Sequence, residues 1–251
     1  MTSRLRWHSA GMAEVPADQA WHDPALAARL QSMRFRKRRD EAELGRWTAK
    51  QALARALDFD SSDTASLQRI AIRNAADGAP EAFLDGGPAG MRIAMTDRAD
   101  WAVCALLDGH GDVGCDLEIV EPRSAAFVAD YFTDEEQRLV ARSSDHDAMA
   151  NLLWSAKESA LKVLRTGLRR DTRTVDVRLE AEGASDAKWH PLEVHDLVTG
   201  TMFPGYWIRY GPFLLTVAAR DPIGTPESFD EPAPLSSATP SHVWMDDPTV
   251  A

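Results

Sequence analysis

The sequence predicts an α+β fold, built as a pseudo-twofold pair of similar α/β subdomains with a ligand cleft between them. Three observations carry this expectation. A helical pattern followed by strand-like runs occurs in the first part of the chain, and the same order of elements recurs in the second. A polar, glycine-rich joint, Asp108-Gly109-His110-Gly111-Asp112, separates the two series. The chain has 251 residues, enough for one large domain or two small ones. Two α+β units that share an interface place a ligand site between them.

The first series contains a helix over 40–57 and strands near 67–73, 91–96 and 101–107. Turns fall at Ala76-Asp77-Gly78-Ala79-Pro80 and Asp85-Gly86-Gly87-Pro88, where glycine and proline supply the required backbone angles. The second series opens on a strand over 113–120. A helix over 149–164 follows, then strands near 174–179, 206–210 and 213–219. The repeat is visible as an order of elements and only weakly as residue identities. These assignments divide the chain into an N-terminal subdomain, 1–111, a C-terminal subdomain, 112–222, and a tail, 223–251.

The tail stands apart in composition. It follows Arg220, after which the chain has no lysine or arginine, while Asp221, Glu227, Asp230, Glu231, Asp246 and Asp247 are acidic. These acids account for more than half of the net charge of −11 and leave −5 for residues 1–220. Six prolines lie in the same stretch. Such a composition predicts a disordered extension that can be removed with little effect, with Val243-Trp244-Met245 a short apolar interruption.

The remaining composition is that of a soluble globular protein, 44% hydrophobic. There is no apolar run of about 18 residues that would cross a membrane. No apolar segment follows the first basic residues, so no signal peptide is expected and the predicted compartment is the cytoplasm. Cys104 and Cys115 both lie in apolar strand-like runs, and read as buried thiols rather than a disulfide or a metal pair.

Two stretches carry chemistry. In Val113-Gly114-Cys115-Asp116-Leu117-Glu118 the alternation makes a strand, and it sets Asp116 and Glu118 on one face. In Trp154-Ser155-Ala156-Lys157-Glu158-Ser159-Ala160-Leu161-Lys162, Glu158 and Lys162 are four apart on one face of a helix. Two interpretations are open from the residues alone. The acids are solvated and the Glu158–Lys162 pair is a surface pair, contributing about 0.2–0.5 kcal/mol. Alternatively, strand and helix meet and hold a hard divalent cation against a phosphate. Two close carboxylates raise each other's pKa unless a cation lies between them. A basic cluster, Arg34, Arg36, Lys37, Arg38 and Arg39, then Arg46, Lys50 and Arg55, suits a compact polyanionic ligand. The net negative charge argues against general nucleic-acid binding.

Together these residues resemble the 4′-phosphopantetheinyl transferases, specifically the larger monomeric type that activates peptide and polyketide synthetases. The resemblance spans roughly 30–220. Its core is a V-G-x-D-x-E strand followed about forty residues later by W-S-x-K-E-S-x-x-K. Leu44-Gly45-Arg46, Asp77-Gly78-Ala79-Pro80 and Tyr131-Phe132-Thr133-Asp134-Glu135-Glu136 support it. The resemblance implies transfer of the phosphopantetheine arm of coenzyme A to a serine of an apo acyl or peptidyl carrier protein, releasing adenosine 3′,5′-bisphosphate. It implies Mg²⁺, with Mn²⁺ the alternative, on Asp116, Glu118 and Glu158. It makes Glu158 the base, with Asp116 and Lys162 also catalytic, and Lys162 and Lys157 phosphate contacts. Arg39 and Arg46 are assigned to the 3′-phosphate, and Gly78 and Pro80 to the adenine side. A monomer with no membrane or nucleic-acid partner is expected. The segment 127–150 is expected to receive the carrier.

One departure stands out. Where the family usually has Ser-His-Ser, this chain has Thr96-Asp97-Arg98. The usual histidine meets coenzyme A phosphates, and an aspartate would repel them. Thr96 and Arg98 are assigned to coenzyme A, and either Arg98 restores the positive charge or Asp97 faces away. The departure motivates an alternative, a non-catalytic relative that binds coenzyme A or a carrier. A different phosphotransferase or nuclease would need its own nucleotide motif, and the chain has no P-loop pattern.

Overall fold

A computed structural model of the protein describes residues 3–109, 111–179, 188–231 and 233–240. The first series is β1 (Leu5–Gly11), α1 (Pro24–Ser32), α2 (Arg36–Ala56), α3 (Thr64–Arg69), β2 (Ile70–Asn74), β3 (Pro80–Leu84), β4 (Gly87–Arg98) and β5 (Trp101–Asp108). The second is β6 (Val113–Ile119), α4 (Ala125–Tyr131), α5 (Asp134–Arg142), α6 (His146–Val163), β7 (Val175–Leu179), β8 (His190–Asp196), β9 (Met202–Tyr210) and β10 (Phe213–Ala219). β11 (Glu227–Ser228) and α7 (Ala233–Ser237) follow.

The fold is α+β, and the two halves share one topology. The first sheet runs β1-β5-β4-β3-β2, with β11 added outside β1; the second runs β6-β10-β9-β8-β7. Each half is therefore one strand, a long helix, and a four-stranded antiparallel meander whose last strand returns beside the first. The repeat expected from element order is complete, including β1, β3 and β8, which the sequence did not suggest.

Alternation along the strands builds four layers. On β5, Cys104 and Leu106 pack with Leu53 and Ala49 of α2, while Val103, Ala105 and Leu107 face the second sheet. On β10, Leu214 and Ala218 pack with Leu153 and Ala160 of α6, while Phe213, Leu215, Val217 and Ala219 face the first sheet. The sheets thus share an apolar interior and each long helix covers the outer face of its own sheet. On β6, Val113, Cys115, Leu117 and Ile119 join that interior, which leaves Gly114, Asp116 and Glu118 on the α6 side. Both cysteines are buried free thiols, pushed up in pKa by burial, Cys115 to about 12.

The expectation of a disordered tail from 223 onward is corrected as far as the described residues reach. Ile223 forms a bridge with Ser3, Glu227 and Ser228 pair in parallel with Arg6 and Trp7, and Leu235 is fully buried beside Trp7 and Phe213. Three apolar side chains, Ile223, Phe229 and Leu235, anchor a segment whose composition is otherwise polar. Val243-Trp244-Met245 lies outside the described residues. Among the described residues no helix is long and apolar enough to cross a membrane.

Candidate active site

α6 lies directly on β6 because position 114 has no side chain. A Cβ at Gly114 would stand 1.9 Å from the Ser159 carbonyl oxygen and 3.0 Å from Lys162 Cβ. Hydroxyl groups fasten the contact. Ser155 Oγ donates to the Asp116 carbonyl at 3.1 Å, and Ser155 and Ser159 lie 2.9 and 2.8 Å from Thr216 Oγ1. Thr216 is the register partner of Asp116 across β10 and β6. The serines of the helix motif thus set the helix at a fixed height over the acidic strand.

This packing brings Asp116, Glu158 and Lys162 together. Lys162 Nζ lies 2.8 Å from Asp116 Oδ1 and donates to the Cys115 carbonyl at 2.7 Å. Burial opposes charge on Lys162, but Asp116 and Glu158 outweigh it and its pKa is raised. Burial and then Asp116 push Glu158 up to about 7. Asp116 Oδ2 and Glu158 Oε1 are buried without a hydrogen-bond partner. Orphaned carboxylate oxygens carry a full desolvation penalty unless a proton or cation meets them. The pair fits a hard divalent cation, which takes carboxylate oxygens and completes its shell with water or phosphate oxygens.

Glu118 is placed differently. Its Oε2 lies 3.3 Å from Arg98 Nε and 3.2 Å from Arg123 Nη2. Burial and Asp116 push its pKa up to about 7 against these arginines. Among the described residues no three His, Cys, Asp or Glu side chains converge into a metal-holding group. Two of the three expected ligands fit a cation as they stand; the third is held in ion pairs.

Along β4 the alternation separates Thr96 and Arg98 from Asp97. Thr96 Oγ1 donates to Asp116 Oδ1 at 3.2 Å and accepts from the Leu117 N–H at 3.2 Å. Arg98 reaches Glu118 and Glu121. Asp97 is exposed on the other face, near Glu41 and Arg46 of α2. It faces away from Asp116, and Arg98 is engaged by carboxylates.

A pocket of about 280 Å³ is lined from both halves by Gly78, Pro80, Arg92, Lys162, Arg165 and Arg169. Gly78 adopts φ +93, which a side chain would strain. Arg165 ties the turn to the end of α6, with Nε 2.9 Å from Asp77 Oδ2. Arg46 lines a separate surface pocket of about 450 Å³ with Arg29, Arg38 and Thr96. Its guanidinium donates to Asn74 Oδ1 at 2.5 Å, and burial lowers its pKa to about 10. Arg39 is not beside it; it is exposed and donates to the Met33 carbonyl at 3.4 Å.

Lys157, expected to assist at the phosphate, is instead fully buried. Its Nζ lies 2.7 Å from Glu136 Oε2 and donates to the Thr172 and Val175 carbonyls at 2.9 and 2.6 Å. One residue before Glu158, it points about 100° away around the helix and clamps α5 and β7 to α6. Trp154 is half-buried and stacks edge-on with Phe127 and exposed Tyr131, one turn before Glu158. Sequence inspection did not single out Arg92, Arg123, Arg165, Arg169 or Glu121. They are charged residues on loops and strand edges, and only the folded chain gathers them.

No curated protein matches the chain. Residues 112–210, the span that contains Asp116, Glu118, Glu158 and Lys162, match the model of the 4′-phosphopantetheinyl transferase superfamily.

Proposed function

We propose that the protein is a 4′-phosphopantetheinyl transferase of the larger monomeric type, moving the phosphopantetheine arm of coenzyme A to a serine of an apo acyl or peptidyl carrier protein. The observation that carries this reading is the pair of buried carboxylate oxygens, Asp116 Oδ2 and Glu158 Oε1, left without partners beside the Lys162 ammonium. The family match over 112–210, the span that contains these residues, supports the reading.

Asp116 and Glu158 would hold Mg²⁺ or Mn²⁺, with Glu118 the third carboxylate available. The bound cation would neutralise charge that develops on the leaving phosphate. Lys162 meets the pyrophosphate from the helix side. The carrier serine Oγ bonds to the β-phosphorus, and the bond from that phosphorus to the bridging oxygen breaks. The serine proton passes to Glu158, which accepts it in its ionised form. The Gly78–Pro80 turn and Arg92, Arg165 and Arg169 form a basic pocket continuous with Lys162, suited to the anionic nucleotide end of coenzyme A. The Phe127–Tyr131–Trp154 rings offer a partly exposed apolar face one turn from Glu158, and Phe127 and Tyr131 belong to the segment expected to receive the carrier.

The direct test incubates the protein with Mg²⁺, coenzyme A and apo acyl, peptidyl and aryl carrier proteins, then weighs each carrier. A gain of one phosphopantetheine on a carrier supports the proposal; no gain on any of them refutes it. The ion pairs that hold Glu118 favour a second reading, a relative that binds coenzyme A or a carrier without transfer. That reading requires no mass gain together with measurable coenzyme A or carrier binding.

A further inference from the structure

Four charged side chains meet where β4 ends and β6 leaves its sheet. Glu121 Oε1 lies 2.6 Å from Arg98 Nη2 and 3.7 Å from Arg123 Nη2, while Glu118 Oε2 lies 3.3 and 3.2 Å from the same two guanidiniums. The two carboxylates are not equivalent. Glu121 is enclosed, its side chain 1% exposed, whereas Glu118 is the outer member at 13%. An enclosed carboxylate persists only when it is paired, so Glu121 belongs to the arginines permanently.

Arg123 and the Glu121 backbone are also fixed from behind. Asn151, fully buried on α6, accepts from Arg123 Nε at 2.7 Å and donates to the Glu121 carbonyl at 2.6 Å. Arg98 and Arg123 therefore have an anchor that does not depend on Glu118. Glu118 shares a strand face with Asp116, whose free oxygen is the better part of the candidate cation site. With the Glu121 side chain replaced by an uncharged one, Glu118 would be the carboxylate of this cluster left to both guanidiniums, and they would hold it.

We propose that Glu121 is a positioning residue: by holding Arg98 and Arg123 it releases Glu118 to join Asp116 and Glu158 around a divalent cation. This rests on the cation reading of the preceding section. Glu121 touches neither cation nor substrate and acts through the two arginines, as residues behind metal ligands commonly do.

The test measures Mn²⁺ binding to the full chain without coenzyme A, by calorimetry or by electron paramagnetic resonance of the free ion. Glu121→Gln keeps the side chain's shape and removes its charge, and Mn²⁺ affinity should fall roughly 10- to 100-fold. Glu121→Gln/Arg123→Gln rebalances the cluster and should recover most of that loss. Equal affinity in wild type and Glu121→Gln overturns the proposal, as does a double variant no better than the single one. If Glu121→Gln does not fold, Arg123→Gln alone decides: removing one competitor for Glu118 should tighten Mn²⁺ binding, and weaker binding overturns the proposal. Failure of these variants while wild type binds Mn²⁺ leaves the cation reading standing. Wild type that transfers the arm without any divalent cation overturns that reading, and this proposal with it.

Discussion

Lys50 and Lys157 occupy the same place in the two halves. Each is fully buried three residues after a tryptophan, in Trp47-Thr48-Ala49-Lys50 and Trp154-Ser155-Ala156-Lys157. Lys50 Nζ lies 2.9 Å from Asp23 Oδ2 and donates to the Trp21 and Leu67 carbonyls. Lys157 does the same with Glu136 and the Thr172 and Val175 carbonyls. The acids match as well: Asp23 caps α1, and Glu136 lies in the first turn of α5. In both halves one ammonium joins a long helix, the short helix before or after it in the chain, and the segment leading into the outer strand. Burial lowers the pKa of each lysine against the pull of its acid.

Lys157→Met should therefore act on stability. It leaves Glu136 enclosed without its counter-charge, a defect that costs about 3–5 kcal/mol. Urea unfolding followed by circular dichroism measures it, and Lys157→Met/Glu136→Leu should regain a large part. Lys162→Gln, by contrast, should keep the fold and abolish phosphopantetheine transfer. A Lys157→Met protein as stable as wild type would show that the clamp is not structural.

Gly114→Ala tests how closely helix and strand must approach. The added Cβ meets a backbone oxygen at 1.9 Å, so no side-chain rotation relieves it and α6 must lift. Overpacking of this kind costs about 1–3 kcal/mol or more. Because Glu158 and Lys162 ride on α6, Mn²⁺ binding and carrier modification should fall together with the unfolding temperature. A folded variant with full transfer activity would contradict the assigned geometry.

Two acids of the candidate site have strongly raised pKa values and set a pH dependence. Burial and then Asp116 push both Glu118 and Glu158 from an ordinary 4.5 to about 7. Between those values the folded chain holds protons that the unfolded chain releases. Their contribution to stability is present below about 4.5 and is lost as pH rises through about 7. The metal-free protein should unfold at a lower temperature at pH 8 than at pH 5, and Mg²⁺ should raise that temperature more at pH 8. A cation between the acids favours their ionised forms, so in the presence of Mg²⁺ the rise of transfer with pH should lie below about 7. Equal stabilisation by Mg²⁺ at both pH values would count against the cation site.

Much of this architecture can be read from residue order, and the exceptions have physical causes. The strands β5 and β10 are nearly continuous apolar runs, β6 alternates, and all three are recognised at once. β1 contains Arg6, His8 and Ser9 and becomes a strand only through pairing with β5, about a hundred residues away. β8 opens His190-Pro191, and of its three buried positions only Leu192 and Val194 are apolar, the third being Asp196. For the site, spacing brought out Asp116, Glu158 and Lys162 as candidates and left open whether strand and helix meet; Gly114, Ser155 and Ser159 make that contact within the same two stretches. Lys157 was misjudged, because its position beside Glu158 concealed a structural role. The Trp-Thr-Ala-Lys and Trp-Ser-Ala-Lys pair was the available signal for that role. Glu118 was recognised as an acid of the site, but its arginine partners come from β4 and from the loop after β6, and no sequence pattern joins them.

The same repeat explains what the C-terminal segment does. Arg55 stands five residues after Lys50, as Lys162 stands five after Lys157, and Gln51 stands where Glu158 stands. His8 on β1 faces α2, as Asp116 on β6 faces α6. The first half thus replaces an acidic pair with His8, Gln51 and Arg55, and the tail supplies the missing carboxylate. Asp230 Oδ2 lies 2.9 Å from His8 Nδ1 and 3.2 Å from Arg55 Nε. Burial and Arg55 hold His8 down at about 4, so its ring is neutral and donates an N–H to Asp230. Phe229 lies under Arg6, 5.0 Å from its guanidinium, and Leu235 fills the interior beside Trp7. Deleting 226–251 should therefore destabilise the protein, and Leu235→Ala alone should cost about 2–5 kcal/mol. Urea unfolding of the two variants measures both, and a deletion variant as stable as wild type would show that the segment contributes nothing. Because the described part of the tail docks on β1, α2 and the interior-facing side of β9 and β10, while Asp116, Glu158 and Lys162 lie between β6 and α6, the deletion variant should still modify its carrier at temperatures where it remains folded.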